Sequence, residues 1–311
     1  MGKVLHISDY LKIDMLKHHK TTQGIYYVIA AGILWSMMGI GIRLIENANV
    51  WQILLYRSLS LVVFLYVVLQ LKNKKNPFIL IYRAQTPAFF AAAGLFMAYS
   101  GAIYAVQNTT VANAMLLFAS APFITAILGY LCLGEKVPNY TIIAIAFAMF
   151  GIAIMVFESV GSNTLRGSAA GVISAFGFSI FTISLRWGKQ TDMLPAVFLS
   201  GLLAITLTIP ICYYQGMSLL LNPSDAMLAL GLGIFQVGIG LVLYTIGSKS
   251  VPAAELTLLS LSEVLLGPIW VWLFLGEKAS QMTFLGGIIL LMAICYNSTL
   301  LIKNRHKKNI S

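Results

Sequence analysis

The chain has 311 residues, 59% of them hydrophobic and only 10% charged, with a mean hydropathy of +0.86. A soluble domain needs about 25% charged residues to cover its surface, so this composition excludes an ordinary water-soluble globule and points to lipid as the solvent. The formal charge of +10 sits in short segments between apolar runs and at the two ends. No Arg/Lys face interleaved with aromatics is present, which argues against nucleic acid as a partner.

In chain order, residues 1–23 carry Asp9, Asp14 and three histidines ahead of the first long apolar run, and read as a cytoplasmic N-terminal segment rather than a cleavable leader. Val4, Ile7, Leu11 and Met15 recur at helical spacing, which fits a surface amphipathic helix as well as a frayed tail. About 20 apolar residues cross a bilayer core. On that measure ten spans are predicted: 24–45, 48–71, 86–106, 111–133, 140–157, 167–187, 194–214, 226–247, 252–275 and 281–302. Gly, Pro, Asn and Lys clusters at 72–77, 134–138, 161–163, 222–224 and 276 separate many of them. No stretch alternates like a barrel strand. The expected fold is an all-α membrane protein of ten transmembrane helices, closed by a basic tail at 303–311. Cys132, Cys212 and Cys295 lie inside apolar runs without metal or redox spacing and read as packing residues.

Lys and Arg set the orientation. With the N-terminus inside, sixteen of the 20 basic residues fall in inner segments, leaving Arg43, Arg166 and Lys278 outside and Arg57 within a span. Both termini are therefore expected in the cytoplasm. Five spans per half make the second half enter the membrane in the opposite sense, so a repeat would be an inverted one. Three matches suggest it. Leu133-Gly134-Glu135-Lys136 and Leu275-Gly276-Glu277-Lys278 close the fourth span of each half. Gly32, Ser36, Gly39 and Arg43 correspond to Ala175, Ser179, Thr182 and Arg186 at one constant offset. Tyr104 and Tyr244 each precede a fourth span. The expected units are 24–158 and 167–302.

The paired Leu-Gly-Glu helix ends, the Arg in Leu54-Leu55-Tyr56-Arg57-Ser58, and Ala119-Ser120-Ala121-Pro122 resemble the EamA-like ten-helix carriers of the drug/metabolite transporter superfamily, over residues 24–302. In that family the ninth span usually reads Leu-Glu-Pro; here Leu261-Ser262-Glu263-Val264 keeps the Glu, and Pro268 follows about a turn later. The resemblance implies alternating access around a central substrate site in a multi-pass cell membrane protein. It leaves the substrate open among amino acids, amines, nucleotide derivatives and drugs. The implied partners are a small molecule, the bilayer, and a coupled proton or counter-substrate, for a monomer or homodimer; no cofactor and no metal are called for.

Ionisable groups inside spans are costly and each needs a reason. Glu263, and Glu255 eight residues earlier on much the same face, read as cavity groups for a substrate ammonium or a coupled proton. The alternative for Arg57 and Glu263 is a buried structural pair. The repeat places Arg43 against Glu277 at the outer end and Arg186 against Glu135 at the inner end, as alternate gate latches or as interfacial charges that cap neighbouring helices. Trp35, Tyr99, Tyr104, Tyr244 and Trp270 are candidate aromatic walls. Asn113 and Gln236, with Ser36, Ser120 and Ser179, are candidate polar walls or helix–helix glue.

A membrane enzyme is the main rival class, but His6, His18, His19 and His306 all lie in the terminal tails and the spans hold no Asp or nucleophile elbow. A scaffold would leave the repeats idle. The expected substrate is a small organic metabolite bearing an amine, such as an amino acid, exported or exchanged. The alternative is an acidic or nucleotide-like metabolite bound through Arg57.

Overall fold

The computed structural model describes residues 7–73, 77–134, 137–158, 164–188, 194–247 and 253–310; the side chains of 7–21, 73, 81–85, 158, 185–186, 253–261, 298, 301–302 and 304–310 fall outside that description. All regular elements among the described residues are helical. They are α1 (Ile7–Ser36), α2 (Met38–Arg43), α3 (Val50–Asn73), α4 (Pro77–Asn108), α5 (Val111–Phe118), α6 (Ala121–Leu133), α7 (Asn139–Glu158), α8 (Leu165–Trp187), α9 (Leu194–Tyr214), α10 (Pro223–Gly231), a π-helical stretch π1 (Leu232–Ile239), α11 (Gly240–Gly247), α12 (Ala253–Leu275) and α13 (Gln281–Ile310). Among the described residues, eight continuous or near-continuous helical runs can cross a membrane by length and composition, and Ser262–Leu275 and Gln281–Asn297 are shorter apolar stretches. Ile142, Ile143, Phe147, Phe150 and Phe157 stand exposed on α7, as they do when the surrounding solvent is lipid rather than water.

Three apolar runs do not form single regular helices. The run 24–45 breaks at Met37. There the Ser36 hydroxyl donates to Ile33 O at 2.7 Å and Met37 N to Leu34 O at 3.2 Å, a local tightening that interrupts the α ladder. The run 111–133 breaks after Phe118. Pro122 stands in the first turn of α6 and has no N–H to offer, while Ser120 Oγ donates back to Leu117 O at 2.6 Å. The third departure is π1, which lies between α10 and α11.

Helix ends follow ordinary capping chemistry. Asn222 Oδ1 accepts from Asp225 N at 2.7 Å at the start of α10, and Thr110 Oγ1 accepts from Asn113 N at 3.2 Å at the start of α5. Gly134 ends α6 at φ +63° and Gly276 follows α12 at φ +67°. Both are left-handed conformations that a side chain would strain, which explains why the same residue closes both Leu-Gly-Glu segments.

The helices pack through small residues. α4 lies along α8 so closely that a Cβ on Gly94 would sit 2.6 Å from Gly177 O, and one on Gly177 would sit 2.7 Å from Gly94 O. Ser174 Oγ adds a hydrogen bond to Ala98 O at 2.7 Å across the same interface. Lipid offers no hydrophobic drive for helices to associate, so this close backbone approach supplies the attraction. α1 packs on α12 and α11, and α7 on α13.

Candidate functional site

The breaks in α1–α2 and α5–α6 and the π-helical stretch converge on one cavity of about 60 Å³, room for a few waters. Trp35 and Met38 flank the first break, Phe118 ends α5, and Gln236 and Val237 project from π1. α3 contributes Arg57, α4 Tyr99, α8 Phe178 and α12 Glu263. Discontinuous helices around a central site are a recurrent way to expose backbone and polar side chains inside a membrane protein.

The electrostatics are unusual for a hydrocarbon environment. Arg57 is 3% exposed and Glu263 9% exposed, and both line this cavity. They are not in ion-pair contact with each other, unlike Arg43 and Glu277. The Arg57 guanidinium lies over the Tyr99 ring, 4.8 Å from its centroid, a cation–π contact that offsets part of the cost of burial. Its Nη1 has no hydrogen-bond partner, and neither has Gln236 Oε1. The Tyr99 hydroxyl lies near Ser200 but forms no hydrogen bond of good geometry. Buried polar atoms are almost always satisfied, so several left open around one cavity mark a place where a ligand or water completes them.

Trp35 packs against Tyr244 with ring centroids 5.1 Å apart and the rings tilted by 41°; Trp35 lines the cavity and Tyr244 does not. Other candidates named from the sequence lie elsewhere. Trp270 Nε1 donates to Ser36 Oγ at 2.9 Å and its ring leans on Phe274, which ties α12 to the end of α1. Asn113 is buried and donates to Thr109 Oγ1 at 2.9 Å and Ser168 Oγ at 2.8 Å, joining α5 to α8. Ser179 Oγ donates to Ala121 O and Ala175 O, and acts as glue between α8 and α6. Tyr104 lines a separate cleft of about 600 Å³ with Arg43, Glu46, Asn49, Gln107 and Gln215.

At that same end of the molecule Arg43 Nε donates to Glu277 Oε2 at 2.9 Å. Arg43 Nη2 also donates to Thr109 O at 2.7 Å, and Glu277 Oε1 accepts Val111 N at 2.6 Å. The pair thus clasps the turn between α4 and α5 from both sides, neutralising a helix C-terminal carbonyl and a helix N-terminal amide. The inner counterpart lies outside the description: Glu135 is not among the described residues, and neither the Arg186 nor the Glu255 side chain is described.

Met38, Phe118, Phe178, Leu95 and Leu241 line the cavity without having been singled out from the sequence. Apolar residues inside apolar runs carry no distinguishing signal. The one available cue was the Ala119-Ser120-Ala121-Pro122 break just after Phe118.

A bundle of long apolar helices around a small, charged, partly unsatisfied cavity defines a multi-pass membrane transporter. The profile of the EamA-like transporter family matches twice, over residues 22–157 and 165–299, and the chain belongs to that family, within the drug/metabolite transporter superfamily. It is 25% identical over 200 residues to an uncharacterized transporter of Archaeoglobus fulgidus, covering 64% of this chain and 71% of that one. It is 27% identical over 218 residues to the uncharacterized transporter YwfM of Bacillus subtilis, covering 67% and 72%. Human solute carrier family 35 member G1 is 22% identical over 292 residues, 87% of this chain and 77% of its own. A solved crystal structure superposes with a TM-score of 0.61 over 90% of this chain and 97% of its own at 15% identity, a likeness of fold alone.

Proposed function

We propose that this transporter carries a small organic metabolite bearing an amine, such as an amino acid, across the cell membrane by alternating access, in export or exchange. The observation that carries the reading is the cavity itself: one buried cation, Arg57, and one buried acid, Glu263, face a common space without pairing to each other. A zwitterion offers its carboxylate to Arg57 and its ammonium to Glu263, with the Trp35 and Tyr99 rings as further cation partners. Mutual completion also lowers the cost of holding both charges in the membrane interior.

The same reading takes the architecture as ten spans in two inverted five-span units with both termini cytoplasmic. Support comes from the two consecutive family matches and from the left-handed glycines closing α6 and α12. Arg43–Glu277 then acts as the outer gate latch, and Arg186–Glu135 as its inner counterpart. Glu255 is the expected proton-responsive group on the inner side of α12; Glu255→Gln should abolish uptake or shift its pH dependence, and uptake that stays identical across neutral and mildly acidic pH counts against that role.

A second reading, an acidic or nucleotide-like substrate, is favoured by the unpartnered Arg57 Nη1. A thermal-shift screen of amino acids, polyamines, nucleosides and organic acids separates the two, because a ligand that binds the folded state stabilises it by mass action. Stabilisation by amino acids supports the first reading. Stabilisation by organic acids or nucleotides alone supports the second.

A further inference from the structure

We infer that Gln236 makes the site selective for a primary ammonium, sharing that group with Glu263 and rejecting fully N-methylated amines. The inference rests on the amine reading above and adds which kind of amine the cavity takes.

The orientation of the Gln236 amide follows from its surroundings. Its Nε2 lies 3.4 Å from Trp35 O, a main-chain carbonyl that can only accept. The nitrogen must therefore face Trp35, and Oε1, on the other side of the amide of a residue that lines the cavity, has no partner. Trp35 O belongs to the last turn of α1, next to the Met37 break. Ile33 O takes the Ser36 hydroxyl, Leu34 O the Met37 amide and Trp35 O the Gln236 amide. The residue is 5% exposed, so an unmet acceptor there is costly.

Glu263 lies on α12, which packs against α1, and it lines the same cavity as Trp35 and Gln236. Gly32 packs against Ser262 and the Glu263 backbone, one turn before Ser36. Two acceptors, one charged and one neutral, therefore border a single small cavity next to the Trp35 ring. A primary ammonium has several N–H donors and can satisfy both at once. A trimethylammonium has none, so it leaves both acceptors without a donor in a buried site. Gln236 sits within π1, and π-helical stretches inside α-helices recur at functional sites.

The test is counterflow in proteoliposomes of the full-length chain. Each common amino acid is assayed on the wild type, and the best substrate is then compared with its N-trimethylated analogue in wild type, Gln236→Leu and Gln236→Glu. Wild type is expected to prefer the primary amine by about tenfold or more in KM, the loss that follows from a missing hydrogen bond to a charged group. Gln236→Leu should raise KM for the primary amine while leaving the analogue unchanged, so that the preference collapses; Gln236→Glu, which keeps an acceptor, should retain it. Transport by Gln236→Leu with the preference intact overturns the inference and leaves the amine reading standing. If Gln236→Leu is inactive, Gln236→Glu decides: a retained preference supports the inference and a lost one overturns it. A wild type that exchanges no amino acid overturns the amine reading, and this inference with it.

Discussion

Arg43 and Glu277 stand 234 positions apart in the chain and meet at 2.9 Å, and between them they hold the backbone of the turn that joins α4 to α5. The contact has the form of a latch: a charged pair at the end of the helices, only partly exposed, whose opening would free Thr109 O and Val111 N together. If it gates transport, its two members act as a unit. Arg43→Gln and Glu277→Gln should each change the exchange rate about fivefold, and the double variant should change it by about as much as either one. Exchange rates of the four proteins check this; independent, multiplying effects would reduce the pair to two surface charges.

Arg57 and Glu263 are expected to read opposite ends of the substrate. Arg57→Gln should weaken an amino acid by about tenfold or more while sparing the amine that lacks its carboxylate, since it removes one charge-assisted hydrogen bond. Glu263→Gln should weaken both. Melting temperatures of the purified variants show whether fold is retained, and KM values for the two compounds separate the roles.

The α4–α8 interface tolerates no added volume at its centre. Gly177→Val should lower the unfolding temperature of the detergent-solubilised protein, since its Cβ would lie 2.7 Å from Gly94 O and overpacking of this kind costs about 1–3 kcal/mol. Gly231→Ala is the matched control, because a Cβ there meets nothing within 4 Å. Equal melting of the two variants would contradict the packing described.

Asp225 is buried at 2% exposure and accepts Asn47 N at 2.9 Å and Glu46 N at 3.3 Å, which fastens the link between α2 and α3 to the start of α10. Asp225→Ala leaves two main-chain amides without that acceptor and should cost about 1–3 kcal/mol. Asn222→Ala removes only the cap on α10 and should cost about 1 kcal/mol. The order of their melting temperatures is the check.

Hydropathy alone located the helices that run unbroken: the spans predicted at 48–71, 140–157 and 194–214 correspond to α3, α7 and α9 within a few residues. Arg57 and Glu263 were legible for the same reason, since a charge in an apolar run has no solvent to explain it. The breaks were not legible as geometry. Met37 sits in a run whose hydropathy is continuous, and what interrupts the ladder there is a hydroxyl three residues from its acceptor carbonyl. Nor does averaging over a window separate π1 from an α-helix. Trp270 shows the limit of face arguments: it lies seven residues beyond Glu263, on the same side of the helix, but its indole meets Ser36 on α1 rather than the cavity. Tyr104 and Asn113 were chosen by residue type and position in the chain, which cannot tell a cavity wall from a cleft or a helix contact.

The most direct measurement is counterflow of a radiolabelled amino acid into proteoliposomes preloaded with the same unlabelled compound, for the wild type and for Glu263→Gln. A carrier whose cavity binds the ammonium at Glu263 gives transient accumulation in the wild type and at least about tenfold less in the variant at low substrate. Counterflow of equal size in both proteins would contradict a substrate role for Glu263. No counterflow of any amino acid by the wild type would contradict the substrate class itself.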